Sequence, residues 1–167
     1  MGGIWRAGVL LVFVTLLGGC SLFGKIRSYD GPEVTRIEVL KAERRMYLMH
    51  GERVLRSYDI ALGREPVGQK RREGDGRTPE GSYVIDRRNP RSAFHLSLGI
   101  SYPTVSQRRV AREAGLSPGG DIFIHGRAGK HRGRGPDWTE GCIAVTDREI
   151  EEIYAMVRVG TPITIRP

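Results

Sequence analysis

The stretch "DWTEGCIAVTD", from Asp137 to Asp147, places a cysteine after a glycine and before an apolar run. The chain has 167 residues and two cysteines, so Cys142 has only Cys20 as a partner for an internal disulfide. A thiol becomes a good nucleophile only when a neighbouring group helps it to ionise. The role of Cys142 therefore depends on what the fold places beside it.

The end of this stretch also predicts a helix boundary. Thr146 and Glu149 form a capping-box pattern, in which each side chain bonds the backbone of the other. Apolar residues follow at helical spacing, namely Ile150, Ile153, Tyr154 and Val157. We expect a helix that ends near Gly160, followed by a last strand in "TPITIRP".

The chain before the cysteine is dominated by strand patterns. From Val34 onward, "VTRIEVLK", "RRMYLMH", "RVLRSYDIAL", "SYVID", "AFHLSLGI" and "DIFIHG" are rich in β-branched or alternating apolar residues. A short helix is expected from Ser106 to Gly115, where the glycine follows the last turn. Mostly strands with two late helices predict a mainly β fold with minor α, a β-sandwich or barrel-like arrangement.

The first twenty residues differ from the rest of the chain. An uninterrupted apolar run, "AGVLLVFVTLL", follows one positive charge and precedes "GGC", which is typical of an export signal. "LGGC" resembles the lipobox of bacterial lipoproteins, which implies cleavage before Cys20 and lipid attachment to its thiol. An ordinary secretory signal with a chance cysteine is the alternative. We expect a signal at 1–19, a lipidated tether at 20–33 and one domain at 34–167.

The predicted anchor restricts the partners of the chain. The lipobox resemblance implies a cell-envelope location with a membrane-bound lipid, and Ser21 implies the outer membrane in a Gram-negative host. The formal net charge is +8, and "RAGKHRGRG" looks superficially like a nucleic-acid-binding tract. It lacks interleaved aromatic residues, so we expect no nucleic acid and favour acidic wall peptides or anionic lipids as partners.

Four histidines are candidate bases for the Cys142 thiol. His50 and His95 lie in strand-like segments and are expected to be structural, whereas His131 lies in a Gly/Arg-rich loop with no assigned role. His125 ends an apolar strand and is joined to Cys142 by a loop that can fold back. Neither the spacing nor a carboxylate cluster indicates zinc, so no metal or other cofactor is expected. A merely buried, inert Cys142 is the bland alternative.

"IHGR" followed by "WTEGCIAV" resembles the catalytic motif of the L,D-transpeptidase family, the YkuD-type domain. His125 and Gly126 match the His-Gly pair, sixteen residues separate His125 from Cys142, and Thr139 and Gly141 match the motif around the cysteine. "VGQKRREGDGRTPEGSYVI" resembles the Lys…Gly-Asp-Gly-x-Thr-Pro-x-Gly segment of that family, and "LSLGISYP" its substrate-side strand. The resemblance covers residues 35–167.

The resemblance implies an enzyme that acts on peptidoglycan stem peptides through a cysteine thioester. It assigns Cys142 as nucleophile and His125 as general base, oriented by a backbone carbonyl of Gly126 or Arg127, and it assigns the amides of Gly141 and Cys142 to the oxyanion hole. Residues expected to contact the substrate are Lys70, Arg77, Tyr102, Thr139 and Glu140. For Lys70 and Arg77 a solvated surface, and for Tyr102 core packing, are equally open interpretations.

Two positions depart from the usual family motif. Glu140 stands where the family has His, and Ala144 stands where it has Arg or Asn. "DWTEGCIAVTD" instead resembles the divergent YafK-like branch, which includes wall-remodelling hydrolases. The expected activity is L,D-transpeptidation in wall cross-linking. The alternatives are hydrolysis of cross-links or of links between the wall and an attached protein, and a wall-binding lipoprotein without catalysis.

Overall fold

A computed structural model describes residues 27–129 and 137–167, which form ten strands and two helices. The first half contains β1 (Arg36–Leu40), β2 (Arg45–His50), β3 (Arg53–Asp59), β4 (Leu62–Gly63), β5 (Gly81–Asn89) and β6 (Ser97–Ile100). The second half contains α1 (Val105–Glu113), β7 (Phe123–His125), β8 (Asp137–Thr139), β9 (Ile143–Ala144), α2 (Asp147–Met156) and β10 (Pro162–Arg166). The prediction of a mainly β fold with two short helices is confirmed.

Eight of these strands form one sheet, in the order β3-β2-β1-β10-β5-β6-β7-β9. Most neighbours are antiparallel, but β1 pairs with β10 and β7 pairs with β9 in parallel. In the central pair Ile37 lies beside Ile163 and Val39 beside Ile165, and all four side chains are buried. A separate parallel pair, β4–β8, lies next to the loop that carries Cys142. The parallel pairs therefore bring together segments that are far apart in sequence.

Helix α2 covers the sheet above β6 and β7. The predicted capping box of Thr146 and Glu149 is present, and the helix buries Ile150, Ile153, Tyr154 and Met156. The expected end near Gly160 is wrong, because Val157 is already extended and the helix stops at Met156. Gly160 belongs to the following turn, where its N–H donates to Ile85 O at 2.8 Å.

Helix α1 lies at the surface and contributes little to the core. Its only buried residue is Ala111, while Val105 and Val110 are exposed. Thr104 and Gln107 form its capping box, and Gly115 follows the last turn with φ +68°. The helix therefore lies within one residue of its predicted position and owes its ends to local capping.

Three short strands were not predicted from the sequence. The run expected as one strand from Arg53 to Leu62 breaks after Asp59, and β4 begins at Leu62. Between them Ala61 makes an isolated bridge to Ala144. Strands β8 and β9, with three and two residues, are too short to show any periodicity.

The predicted signal, lipobox and Cys20 lie outside the described residues, so the lipid anchor stays a prediction. Among the described residues, no helix has both the length and the apolar character needed to cross a membrane. The last part of the predicted tether lies against the domain. Tyr29 packs against the core, and Arg27 forms a 3.0 Å ion pair with Glu151 on α2.

Lys41 is the most deeply buried charged residue of the fold, with 2% of its surface exposed. Its Nζ donates to Gly68 O at 2.8 Å, to Thr78 O at 3.0 Å and to Glu80 Oε1 at 2.7 Å. All three donor positions of the ammonium are used, as a buried charge requires. Lys41 thus attaches the glycine-rich loop of residues 64–80 to the end of β1.

Replacement of Lys41 by Ala should lower the free energy of unfolding by about 3–5 kcal/mol, because two carbonyls and a carboxylate lose their shared donor. Denaturant unfolding followed by circular dichroism measures the change. The control is Arg45→Ala, which removes an exposed ion pair with Asp59 and should barely move the midpoint. Equal effects of the two substitutions would contradict the anchoring role of Lys41.

Candidate active site

The parallel pairing of β7 with β9 brings the two ends of the predicted motif together. Ile124 lies beside Ile143 and His125 beside Ala144. Cys142 immediately precedes β9, and side chains two residues apart in an extended segment share a face. The register therefore places Cys142 on the same face of the sheet edge as His125, as the sequence predicted.

His125 is buried, with 4% of its surface exposed, and its ring is held from several sides. Phe94 stacks on the imidazole with ring centroids 4.5 Å apart, and Trp138 packs edge-on at 5.8 Å. His125 Nδ1 lies 2.6 Å from Gly126 O. Since a carbonyl only accepts, Nδ1 must carry the proton, which leaves Nε2 as the basic nitrogen of the neutral ring. Of the two carbonyls expected from the sequence, the structure selects Gly126.

Gly126 occupies a place that no other residue can fill without rearrangement. An ideal Cβ there would lie 2.5 Å from Asp147 Oδ1 and 2.9 Å from both Ile150 Cγ2 and Phe94 O. The backbone of Phe94, the side chain of Ile150 on α2 and the carboxylate of Asp147 therefore all pack against Gly126, whose carbonyl orients His125. The glycine of the His-Gly motif is required for close packing as well as for its position in the motif.

Asp147, at the start of α2, holds the loop that follows this glycine. Its carboxylate accepts hydrogen bonds from the backbone N–H groups of Arg127, Ala128 and Gly129, at 2.6, 2.8 and 3.0 Å. Burial alone would raise the pKa of Asp147, but these three bonds outweigh it and the pKa is lowered. Asp147 was not among the predicted site residues; the available signal was an acidic residue in the first turn of a helix close to the cysteine.

Thr139 organises the turn that presents Cys142. Its Oγ1 accepts a hydrogen bond from Gly141 N at 3.1 Å and donates to Cys142 O at 2.7 Å. With 4% of its surface exposed, Thr139 is buried and supports this turn, and its predicted substrate contact stays a prediction. The N–H of Gly141 is bonded within the turn, and its predicted use in the oxyanion hole stays a prediction.

Gly141 also contributes to the position of the turn because it has no side chain. It has φ +130°, and an ideal Cβ would lie 2.6 Å from Arg77 O. At Gly63 an ideal Cβ would lie 2.1 Å from Gly76 O and 3.0 Å from Gly141 Cα. Three backbone segments therefore approach more closely than side chains allow, and their contact fixes the position of the residue before Cys142.

The Cys142 thiol lies at a cleft of about 250 Å³ and is partly exposed. Its Sγ lies 3.5 Å from Asp121 O. Burial raises the pKa of the thiol, and the negative charge of Asp121 acts in the same direction. A hydrogen bond from the backbone of Phe123 and the positive charge of Lys70 lower the pKa but do not outweigh burial. The pKa of the Cys142 thiol is therefore raised above its ordinary value.

The predicted substrate residues fall into two groups. Lys70 and Glu140 line the cleft with Cys142, where Glu140 forms an ion pair with Arg64. Lys70 is buried and bonded to Asp75 at 2.8 Å. Arg77 and Tyr102 line adjoining clefts rather than this one.

Tyr102 is a packing residue, as one of its two interpretations held. It is buried, donates its hydroxyl to Pro118 O at 2.9 Å, and meets the ring of Tyr83 edge-on at 6.1 Å. One side of the ring lines a groove of about 400 Å³ beside α1. Arg77, in contrast, is only partly buried.

His50 and His95 do not line this cleft. His50 Nδ1 lies 2.8 Å from Glu33 O, and His95 Nε2 lies 2.8 Å from Glu151 Oε1, in agreement with their predicted structural roles. His131 lies outside the described residues. Within 27–129 and 137–167, no group of three or more His, Cys, Asp or Glu side chains is arranged to hold a metal ion.

Comparison with known proteins agrees with this geometry. The profile of the YkuD family, the L,D-transpeptidase catalytic domain, matches residues 34–165. YafK of Escherichia coli (strain K12) is 31% identical over 127 residues, which are 72% of this chain and 46% of YafK. The chain thus spans less than half of that relative.

Two solved structures share the fold. The helical cell shape determining protein Pgp2 from Campylobacter jejuni has a TM-score of 0.62 at 22% identity, over 87% of this chain and 53% of Pgp2. Bd1075 from Bdellovibrio bacteriovorus has a TM-score of 0.57 at 23% identity, over 84% and 50% of the two chains.

Replacement of Asp121 by Asn should lower the pKa of the Cys142 thiol and speed its alkylation by iodoacetamide at neutral pH. Asn tolerates the positive φ of this position (+53°) as well as Asp does, so the backbone is preserved. The control is Asp86→Asn, which removes the same charge from the other carboxylate that pairs with Arg87. Unchanged rates in Asp121→Asn, or equal acceleration in the control, would contradict this interpretation. Mass spectrometry against pH gives the rates.

Replacement of Asp147 by Ala should lower the free energy of unfolding by about 2 kcal/mol, because three amides lose their acceptor. Because the pKa of Asp147 is lowered by folding, its contribution is present at neutral pH and is lost as the pH falls below the ordinary value of 3.8. The decrease in the free energy of unfolding between pH 7 and pH 2 should therefore be smaller in Asp147→Ala than in the unsubstituted protein.

The control for Asp147 is Glu149→Gln, which alters the cap of the same helix without touching residues 127–129. The His125 Nδ1 proton, followed by NMR, should shift or broaden in Asp147→Ala and remain unchanged in Glu149→Gln. Identical spectra for the two variants would show that Asp147 stabilises only the helix.

Proposed function

Because the chain belongs to the L,D-transpeptidase catalytic-domain family, we propose that it acts on peptidoglycan stem peptides through a thioester at Cys142. The observation that supports this most directly is the β7–β9 register, in which His125 pairs with Ala144, two residues after Cys142, while Cys142 itself lines a cleft. The contact between Nδ1 of His125 and Gly126 O orients the imidazole, and we assign Nε2 of the same ring as the base. A buried, inert cysteine would need neither the cleft nor the oriented imidazole.

The proposed reaction has two halves. Nε2 of His125 accepts the thiol proton as Cys142 Sγ attacks the carbonyl carbon of the bond before a terminal D-Ala. The C–N bond breaks, and His125 returns the proton to the leaving amine. In the second half an acceptor amine attacks the thioester and loses a proton, while the thiol is regenerated. A raised thiol pKa fits a mechanism in which deprotonation accompanies attack.

The negative charge that develops on the carbonyl oxygen during attack by Cys142 requires a hydrogen-bond donor at the cleft. Since the Gly141 N–H is bonded to Thr139, we assign this role to the Cys142 N–H. The turn held by Thr139 and the glycine contact keep that amide in a fixed place, which is how backbone donors stabilise an oxyanion. Lys70, at the same cleft, adds positive charge near the thiol.

Hydrolysis is the second candidate, and one observation favours it. Glu140 stands at the rim of the Cys142 cleft with 67% of its side chain exposed, so water and a carboxylate are both close to the thioester. The ion pair with Arg64 opposes this role, because it engages the carboxylate of Glu140 with a guanidinium instead of a water molecule. Transfer is therefore the first proposal, and cleavage of cross-links or of wall–protein links is the second.

The test uses a purified tetrapeptide muropeptide and, separately, a preformed cross-linked dimer, with products analysed by mass spectrometry. Transfer predicts release of D-Ala with formation of dimer, abolished in Cys142→Ala and reduced about 10²–10⁴-fold in His125→Ala. Cleavage of the dimer without dimer formation would favour hydrolysis. Absence of any turnover, with Cys142 unmodified, would overturn both and leave a wall-binding role.

A further inference from the structure

A second cleft, of about 430 Å³, adjoins the one that contains Cys142. Four arginines line it, Arg64, Arg71, Arg72 and Arg77, together with Glu65, Asp75 and Gly74. We call it the arginine cleft. The reaction steps described above use none of these four side chains, so their convergence requires another explanation.

Asp75 makes the loop beneath these arginines rigid. Its carboxylate accepts hydrogen bonds from the backbone N–H groups of Arg71, Arg72 and Arg77, at 2.8, 3.1 and 3.1 Å, and from Lys70 Nζ at 2.8 Å. Burial acts to raise the pKa of Asp75, but these bonds outweigh it and lower the pKa to about 2. Asp75 therefore binds the backbone and Lys70, and leaves the guanidinium groups unneutralised.

The arginines of this cleft differ from others on the surface. Arg56 pairs with Glu152 and Arg87 with Asp86 and Asp121. In the described ranges, by contrast, no carboxylate forms an ion pair with the guanidinium of Arg71, Arg72 or Arg77; that of Arg77 makes only a 3.5 Å contact with a backbone carbonyl. The cleft thus keeps an excess of positive charge on a fixed loop.

The arginine cleft is continuous with the reactive site. Gly74 lines both clefts, and the backbone carbonyl of Arg77 packs directly against Gly141. At the shared rim Arg64 binds the carboxylate of Glu140, which itself lines the Cys142 cleft. The Arg64–Glu140 ion pair thus shows that a guanidinium at this rim binds a carboxylate that comes from the side of the Cys142 cleft.

We propose that the arginine cleft is a subsite for the free carboxylate groups of the peptide whose neighbouring bond reacts at Cys142. The proposal rests on the proposed function, since it places a peptide at that thiol. Guanidinium groups bind carboxylates through paired, charge-assisted hydrogen bonds, and a preformed loop limits the entropy lost on binding. Arg71 and Arg72 are the main contacts, and Arg64 exchanges Glu140 for a carboxylate of the ligand.

The test measures binding rather than turnover, in a Cys142→Ala background. The probes are the tetrapeptide muropeptide and the same muropeptide with its carboxyl groups amidated, titrated by calorimetry. Arg71→Gln/Arg72→Gln should weaken binding of the first probe about tenfold or more. The amidated probe should bind weakly, and with the same affinity, to the Cys142→Ala parent and to the Arg71→Gln/Arg72→Gln variant of it.

The matched control is Arg108→Gln/Arg112→Gln, which removes the same charge from a separate cleft that is lined by these two residues of α1. Binding by this control should stay within about twofold of the parent, because long-range attraction contributes less than direct contact. Equal weakening in both double variants would overturn the proposal in favour of general charge attraction. Equally tight binding of the amidated probe would overturn it as well.

The two proposals fail separately. Turnover by the protein with Cys142 intact, combined with unaltered binding in Arg71→Gln/Arg72→Gln, would overturn only the carboxylate subsite. Arginine-dependent binding without any turnover would support the subsite and overturn the proposed chemistry.

Discussion

The contact among the backbones of Gly63, Gly76 and Gly141 is the constraint on which the site depends. The segments come from β4, from the glycine-rich loop and from the turn before Cys142. An ideal Cβ at Gly63 would lie against the backbone of Gly76 and Gly141, and one at Gly141 against the carbonyl of Arg77. Because these segments meet backbone to backbone, the loop that carries the arginines packs directly on the turn that carries the thiol. A side chain at Gly63 or Gly141 would force these segments apart.

Carboxylates stabilise the two loops on either side of the thiol in the same manner. Asp75 accepts hydrogen bonds from the backbone amides of Arg71, Arg72 and Arg77, and Asp147 from the three consecutive amides of residues 127–129. Each carboxyl has a lowered pKa as a result. In both cases the carboxylate binds backbone amides, and these hydrogen bonds hold the loop in place. The Gly126 carbonyl performs the corresponding task for His125.

The sequence predicted the features that depend on local pattern. The long strands and the capping box of α2 follow from alternation and helix-end chemistry, and the return of the chain from β7 to the β9 segment beside it follows the expected fold-back of the loop after His125. The roles of Thr139 and Gly141 were missed because hydrogen-bond partners within a turn cannot be read from residue type. Likewise Asp147 and Lys41 look like ordinary surface charges until the fold shows which amides and carbonyls surround them. The raised pKa of the Cys142 thiol depends on burial, which a motif does not report.

The position of β10 has a consequence for the order in which the chain folds. This last strand lies between β1 and β5, so it alone joins the first three strands to the remainder of the large sheet. Its partners in β1 are separated from it by nearly the whole domain, and contacts of such long sequence range form slowly. The two parts of the sheet cannot be joined until residues 162–166 have been synthesised. Loss of those five residues would leave two half-sheets, each with an exposed apolar edge open to association with other chains.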